Sequence, residues 1–320
     1  MDVQTQATLH PDTRKYLDQM VAMMEQKKLP PLYKVEVNRR RALSKMLIAS
    51  GNPPMTECDL VENIDIPVKS GTRPGRVYRG KSETGKNLPV VLYYHGGGFA
   101  IGGLDESEHE CRAIAAETPA VVIAIEYRKT PEHPYPAPDD DCYDLLPWAK
   151  DHAGQYGGDT DRIILAGTSC GGCLATSTAR RAVEQGGPEV RLVVAVTPWY
   201  DKTMSLPSVQ TYATGVHLDL EEIEHYRDMY MPGGVDDADA YNSPAIFPAL
   251  KGMPPHYILI AECDGVADDS YVYADKLKAA GVPVEIVLGK GLIHAFTLMY
   301  HLIPVAKTYL PGIYEAIRNA

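Results

Sequence analysis

The stretch Arg162 to Cys173, R-I-I-L-A-G-T-S-C-G-G-C, constrains this chain more than any other. Ile163, Ile164, Leu165 and Ala166 form an apolar run, Gly167-Thr168-Ser169-Cys170-Gly171 interrupts it, and residues 174–182 read as a helix. Strand, G-x-S-x-G, helix is the pattern of a nucleophile elbow. Such a turn is so tight that the serine takes a strained backbone angle, and the residues two before and two after it must be very small. The Ser169 hydroxyl would then stand above a sheet edge with the first turn of a helix behind it. Unpaired N–H groups and the positive helix end favour negative charge at that point. The same residues also suit a plain Gly/Ser-rich loop, so the decision falls to the rest of the chain.

The chain has 320 residues, 45% of them hydrophobic and 23% charged, enough to bury a large core and too apolar for wholesale disorder. Thirty-one basic against 42 acidic residues give a net charge of -11, which disfavours nucleic acid or an anionic membrane as the main partner. The first ten residues lack a secretory pattern, and no apolar run approaches the ~20 residues of a membrane span. A cytoplasmic protein without membrane insertion is expected. Six cysteines scattered through a long chain are expected to be reduced thiols.

Residues 1–55 read as two amphipathic helical stretches, with Pro11-Asp12-Thr13 as a start and Leu29-Pro30-Pro31 as a stop. The triple arginine Arg39-Arg40-Arg41 in the second reads as a solvated face. Strands are predicted at residues 61–68, 76–79, 90–94, 121–125, 163–166, 192–196, 257–260 and 284–288, with Gly71 to Gly75 as a turn. Helices are predicted at 107–117, 140–149, 174–184, 269–280 and 304–318. Val- and Ile-rich strands alternating with helices indicate an α/β fold, a mostly parallel central sheet with helices on both faces. Residues 201–251, with a helix from Asp219 to Tyr230, break the alternation. They read as a cap insertion, pairing with the 1–55 cap segment over a core of 56–200 and 252–320.

In such sheets the ligand site lies beyond the carboxyl ends of the strands. His95-Gly96-Gly97-Gly98-Phe99 follows one strand, and three glycines there mean that something approaches the backbone closely. Two of their N–H groups could join that of Cys170 in an oxyanion hole. His95 is expected to orient this loop. Ala261-Glu262-Cys263-Asp264-Gly265-Val266-Ala267-Asp268 follows another strand, and His294 follows the last. The order serine, acid, histidine is that of the α/β hydrolases rather than of chymotrypsin or subtilisin.

H-G-G-G-F (95–99), Y-R-K-T-P-E-H-P-Y-P-A-P (127–138), G-T-S-C-G-G (167–172), A-E-C-D-G-V-A-D (261–268) and H-A-F (294–296) together resemble the hormone-sensitive-lipase family of α/β-hydrolase esterases. The resemblance implies a helical cap on an α/β-hydrolase fold and a serine carboxylesterase that hydrolyses short-chain esters through an acyl-enzyme. It assigns Ser169 as nucleophile, Asp264 as acid, His294 as base, and Gly97, Gly98 and Cys170 as oxyanion hole. The Y-R-x-x-P-E segment would brace the site through Arg128 and Glu132. No cofactor or metal is implied; the partner is a small-molecule ester, and a homodimer fits the family. The acid motif departs from the family's D-P-L-x-D, so Glu262 and Asp268 stay beside Asp264 as candidates. Cys170 stands where the family carries alanine; its side chain is expected to narrow the pocket and its oxidation to inhibit. A lactone or amide hydrolase would use the same triad, and a non-catalytic binding protein on this scaffold would have lost the histidine.

Two other patterns compete. Cys170-Gly-Gly-Cys173 is a C-x-x-C at a helix start, as in thiol–disulfide enzymes, but redox work needs neither the glycine loop nor His294. Residues 105–111, D-E-S-E-H-E-C, look metal-binding in composition, yet His109 and Cys111 are two apart and do not share a helix face.

Overall fold

The computed structural model describes residues 7–51, 55–82, 85–235, 241–246 and 251–320. Two helices lead the chain, α1 (Pro11–Lys27) and α2 (Val37–Gly51). Pro11 sits at the start of α1, where its missing N–H costs nothing, and the His10 ring accepts the Asp12 N–H at 3.2 Å. A hairpin follows, β1 (Leu60–Val68) and β2 (Gly71–Arg79). Then β3 (Leu88–Tyr94), α3 (Glu108–Glu117), β4 (Val121–Ile125), α4 (Ala137–His152), β5 (Gly158–Thr168), α5 (Cys170–Gln185) and β6 (Leu192–Val196) alternate. Two helices, α6 (Pro207–Thr211) and α7 (Leu220–Tyr230), separate β6 from β7 (His256–Cys263). The chain closes with α8 (Ala267–Ala279), β8 (Val284–Ile293) and α9 (Leu310–Asn319).

Among the described residues the strands form one sheet in the order β1-β2-β4-β3-β5-β6-β7-β8. Only β2 runs against its neighbours; β4 through β8 are parallel. Side chains alternate across it, so Leu92, Tyr94, Ile163 and Leu165 join α4, α5 and α8 in one core. Val91, Tyr93, Ile164 and Ala166 join α1, α3 and α9 in the other. Every residue of β3 is buried, and each such aliphatic side chain contributes about 1.5–3 kcal/mol. These two cores are why the strands read as solid apolar runs. Among the described residues no helix is long and apolar enough to cross a membrane.

Several boundaries differ from the sequence reading, four of them instructively. Residues 71–75 are strand, not turn, because Lys69 and Ser70 alone make the hairpin loop. Gly75 serves close packing instead: a Cβ there would lie 2.3 Å from the Ile66 side chain. Helix α5 begins at Cys170 rather than Leu174, its glycines being inside the helix. Strand β8 continues through Gly289-Lys290-Gly291 to Ile293, and residues 304–309 are 3-10 helix, with α9 starting beside Pro311.

The segment after β4 is fixed to this scaffold by a buried carboxylate. Asp141 on α4 is fully buried and accepts the Arg128 N–H at 2.9 Å, the Arg128 guanidinium at 2.8, 2.9 and 3.1 Å, and the Ser70 hydroxyl at 2.9 Å. Replacing Asp141 by Ala would strand these donors, and is expected to cost about 3 kcal/mol because Arg128 keeps some access to water. Urea unfolding checks this; a loss below about 1 kcal/mol would mean that the carboxylate does not hold the segment.

Candidate active site

Ser169 sits between β5 and α5 at φ 59, ψ −125, an angle that costs a non-glycine residue about 1–3 kcal/mol. The surroundings leave it no alternative. A Cβ at Gly171 would lie 2.0 Å from the Tyr94 carbonyl oxygen, and one at Gly167 would lie 2.4 Å from the backbone of Gly171. Glycine at both positions lets strand and helix close to this distance, with the Ser169 N–H held by Val196 O at 2.8 Å.

The structure brings three of the predicted residues into one chain of hydrogen bonds. The Ser169 hydroxyl lies 2.8 Å from His294 Nε2, and His294 Nδ1 lies 2.7 Å from Asp264 Oδ2. All three are buried. The other Asp264 oxygen accepts the Val266 N–H at 3.1 Å, which fixes the carboxylate. The two alternative acids point elsewhere: Glu262 accepts the Gly291 N–H at 2.7 Å, and Asp268 accepts the Ser208 N–H at 2.9 Å.

Facing Ser169 is the glycine loop, with Gly97 at φ 113 and Gly98 at φ 58. Among the described residues the N–H groups of Gly97, Gly98 and Cys170 take no acceptor. His95 shapes the loop as expected. Its ring stacks on Tyr127 at 4.1 Å and its Nδ1–H donates to Gly96 O at 2.8 Å, while burial lowers it to about 4 and keeps it neutral.

Cys170 departs from expectation. Its thiol lies beneath the loop, accepting the Phe99 N–H at 3.2 Å, and does not line the cavity. Burial is complete and pushes the thiol up to about 11; both oppose the expected oxidation, since the thiolate is the reactive form. Cys173 lies one turn on and accepts from the buried Lys202 ammonium at 3.2 Å. Both cysteines are free. The C-x-x-C therefore packs the elbow against the loop and the end of β6.

A cavity of about 260 Å³ opens over Ser169, walled by the glycine loop, Trp199, Leu298 and the α7 residues Ile223 and Tyr226. Sequence reasoning missed its polar groups. Glu110, on α3, also reaches the wall; Tyr93 and Thr168 (3.1 Å) donate to its carboxylate, and burial nonetheless raises it to about 7. Two of the three arginines are not a solvated face; Arg39 alone is exposed. Arg40 is 2% exposed and pairs with Glu222 at 2.6 Å, and Arg41 holds Glu132 at 2.7 Å and the Ala100 and Thr130 carbonyls at 2.8 Å. Glu132 thus ties the Y-R-x-x-P-E segment to α2.

Glu110 gives a pH signature. The unfolded carboxyl loses its proton near its ordinary value while the folded one keeps it to about 7, so stability falls as pH rises through that window. Glu110→Gln removes the penalty. Its melting temperature should exceed the parent's at about pH 8 and not at about pH 5; an equal difference at both would refute the shift.

Comparison with known proteins agrees with this geometry. A family model described as alpha/beta hydrolase fold matches residues 91–298. Carboxylesterase NlhH of Mycobacterium tuberculosis is 40% identical over 69% of this chain and 70% of its own. An ethyl acetate hydrolase of Pseudomonas putida is 30% identical over 98% of this chain and 99% of its own. The solved structure of a hyperthermophilic esterase from Pyrobaculum calidifontis superposes with a TM-score of 0.87 at 32% identity, covering 98% of both chains. The chain belongs to the hormone-sensitive-lipase family of α/β hydrolases and is a carboxylesterase of that family.

Proposed function

We propose that Ser169 is the nucleophile, His294 the general base and Asp264 the acid that orients it, with the N–H groups of Gly97, Gly98 and Cys170 as the oxyanion hole. A serine hydroxyl is a poor nucleophile until its proton is taken. His294 Nε2 accepts that proton as Ser169 Oγ attacks the ester carbonyl, and Asp264 holds the Nδ1 proton and offsets the imidazolium charge. The tetrahedral oxyanion falls among the three open N–H groups beside the positive end of α5. His294 then protonates the leaving alcohol, and water repeats the sequence on the acyl-enzyme. The hydrogen-bonded chain from Ser169 through His294 to Asp264 carries this reading. Nucleophile, base and oxyanion donors all come from the chain, so the scheme calls on no cofactor.

Short acyl chains fit best. The cavity is at the small end of ligand pockets and lined by the bulky Trp199, Tyr226 and Leu298, and the relative matched over nearly the whole chain is named for ethyl acetate. In the same reading the described parts of residues 1–55 and 201–251 form a cap over the 56–200 and 252–320 core, with residues 1–6, 52–54, 83–84, 236–240 and 247–250 of these ranges outside the described residues. The cytoplasm is its compartment, in keeping with free thiols, and the position of β8 at the end of the sheet among the described residues suits a homodimer.

Ser169→Ala should lower kcat/KM on p-nitrophenyl acetate by on the order of 10⁴-fold or more with an unchanged circular dichroism spectrum. Across p-nitrophenyl esters the rate should peak at acetate to butyrate. Full activity of the alanine variant would sink the nucleophile assignment, and a peak at palmitate the chain-length assignment.

A further inference from the structure

Arg40 stands 182 residues from its ion-pair partner in sequence and is buried among groups that touch the oxyanion loop. Its Nη2 donates to Glu222 Oε1 at 2.6 Å and to the Tyr226 hydroxyl at 2.6 Å, and its guanidinium carbon lies 4.6 Å from the centre of the Tyr226 ring. The Tyr226 hydroxyl in turn donates to Glu222 at 3.1 Å. The same ring also lies on Gly98, so closely that a Cβ there would fall 2.3 Å from the ring. One unbroken series of contacts therefore runs from α2, through α7, to a residue at φ 58 that lines the catalytic cavity and whose N–H takes no acceptor among the described residues.

We infer that Arg40 is a positioning residue for the reaction, clamping Tyr226 onto Gly98 and so holding the Gly98 N–H where the oxyanion forms. The inference rests on the oxyanion-hole assignment proposed above. Three glycines in succession have little backbone preference of their own, so the angle at Gly98 has to be imposed by what packs on it. A tyrosine ring is stiff, but its α7 helix belongs to the segment between β6 and β7 and not to the sheet. The guanidinium supplies the missing restraint through a charged hydrogen bond, a hydroxyl bond and a cation–π contact at once, a combination that a lysine point charge does not reproduce. Arg39, the neighbour in sequence, is exposed, and Arg41 serves the Glu132 segment instead.

Steady-state kinetics on p-nitrophenyl acetate, with inhibition by a short aryl trifluoromethyl ketone that forms an oxyanion on the serine, tests this. In Arg40→Met kcat should fall about 10- to 100-fold, KM should stay within about twofold, and the ketone's inhibition constant should rise in step with the loss in kcat. Arg40→Lys should fall between this variant and the parent, and Arg39→Met should match the parent. Tyr226→Phe keeps the ring on Gly98 and removes only the hydroxyl link; it should show a smaller loss of the same kind, and it decides the matter if Arg40→Met does not fold. Parent-like kcat and ketone binding in the folded variant, or a loss confined to KM, would overturn the positioning role. The oxyanion-hole assignment fails separately, if the ketone binds the parent no better than the corresponding methyl ketone.

Discussion

The closeness of β5 and α5 around Ser169 is the constraint on which the rest depends. Strand and helix meet with glycine on both sides of the serine, and a single added carbon at Gly171 would run into the Tyr94 carbonyl of β3. That contact fixes three things together: the positive φ of Ser169, the open N–H of Cys170 at the helix start, and the spacing between elbow and glycine loop. The strain at Ser169 persists because the sheet core determines it from both faces, with Leu165 and Ala166 of β5 packed into opposite cores.

From that fixed point the site is assembled by elements of unequal rigidity. Asp264 and His294 follow β7 and β8, so their spacing is that of neighbouring parallel strands. The glycine loop has less intrinsic shape and borrows it: His95 stacks on Tyr127, Phe99 is held by the Cys170 thiol and stacks on Tyr230 at 3.7 Å, and Gly98 is covered by Tyr226. The α7 face thus walls the cavity and covers the loop. Its anchor is Arg40, on the helix that precedes the whole sheet.

Much of this could be read in advance, for a physical reason. Residues just beyond buried strands are local in sequence, and glycines or a lone histidine there stand out against Val/Ile runs; this made Ser169, the glycine loop, Asp264 and His294 visible. What stayed hidden depended on partners far away in the chain. Arg40 looked like part of a charged face because nothing near it announces Glu222, although it sits three residues after Val37 on the same side of α2, which was a signal. Glu110 lay within the D-E-S-E-H-E-C stretch, where nothing nearby announces the Tyr93 and Thr168 hydroxyls that donate to its buried carboxylate. The direction of the Cys170 thiol follows from the helix starting at that residue, one turn earlier than its glycines suggested.

The central claim, that the elbow serine is the nucleophile of a relay through His294, is tested most directly by covalent labelling. The protein is treated with a fluorophosphonate and the modified peptide is mapped by mass spectrometry, in the parent and in His294→Ala. The account predicts one adduct on Ser169 in the parent, and its formation slowed by on the order of 10³-fold or more without the histidine. An unlabelled Ser169, or labelling that ignores the loss of His294, would contradict it.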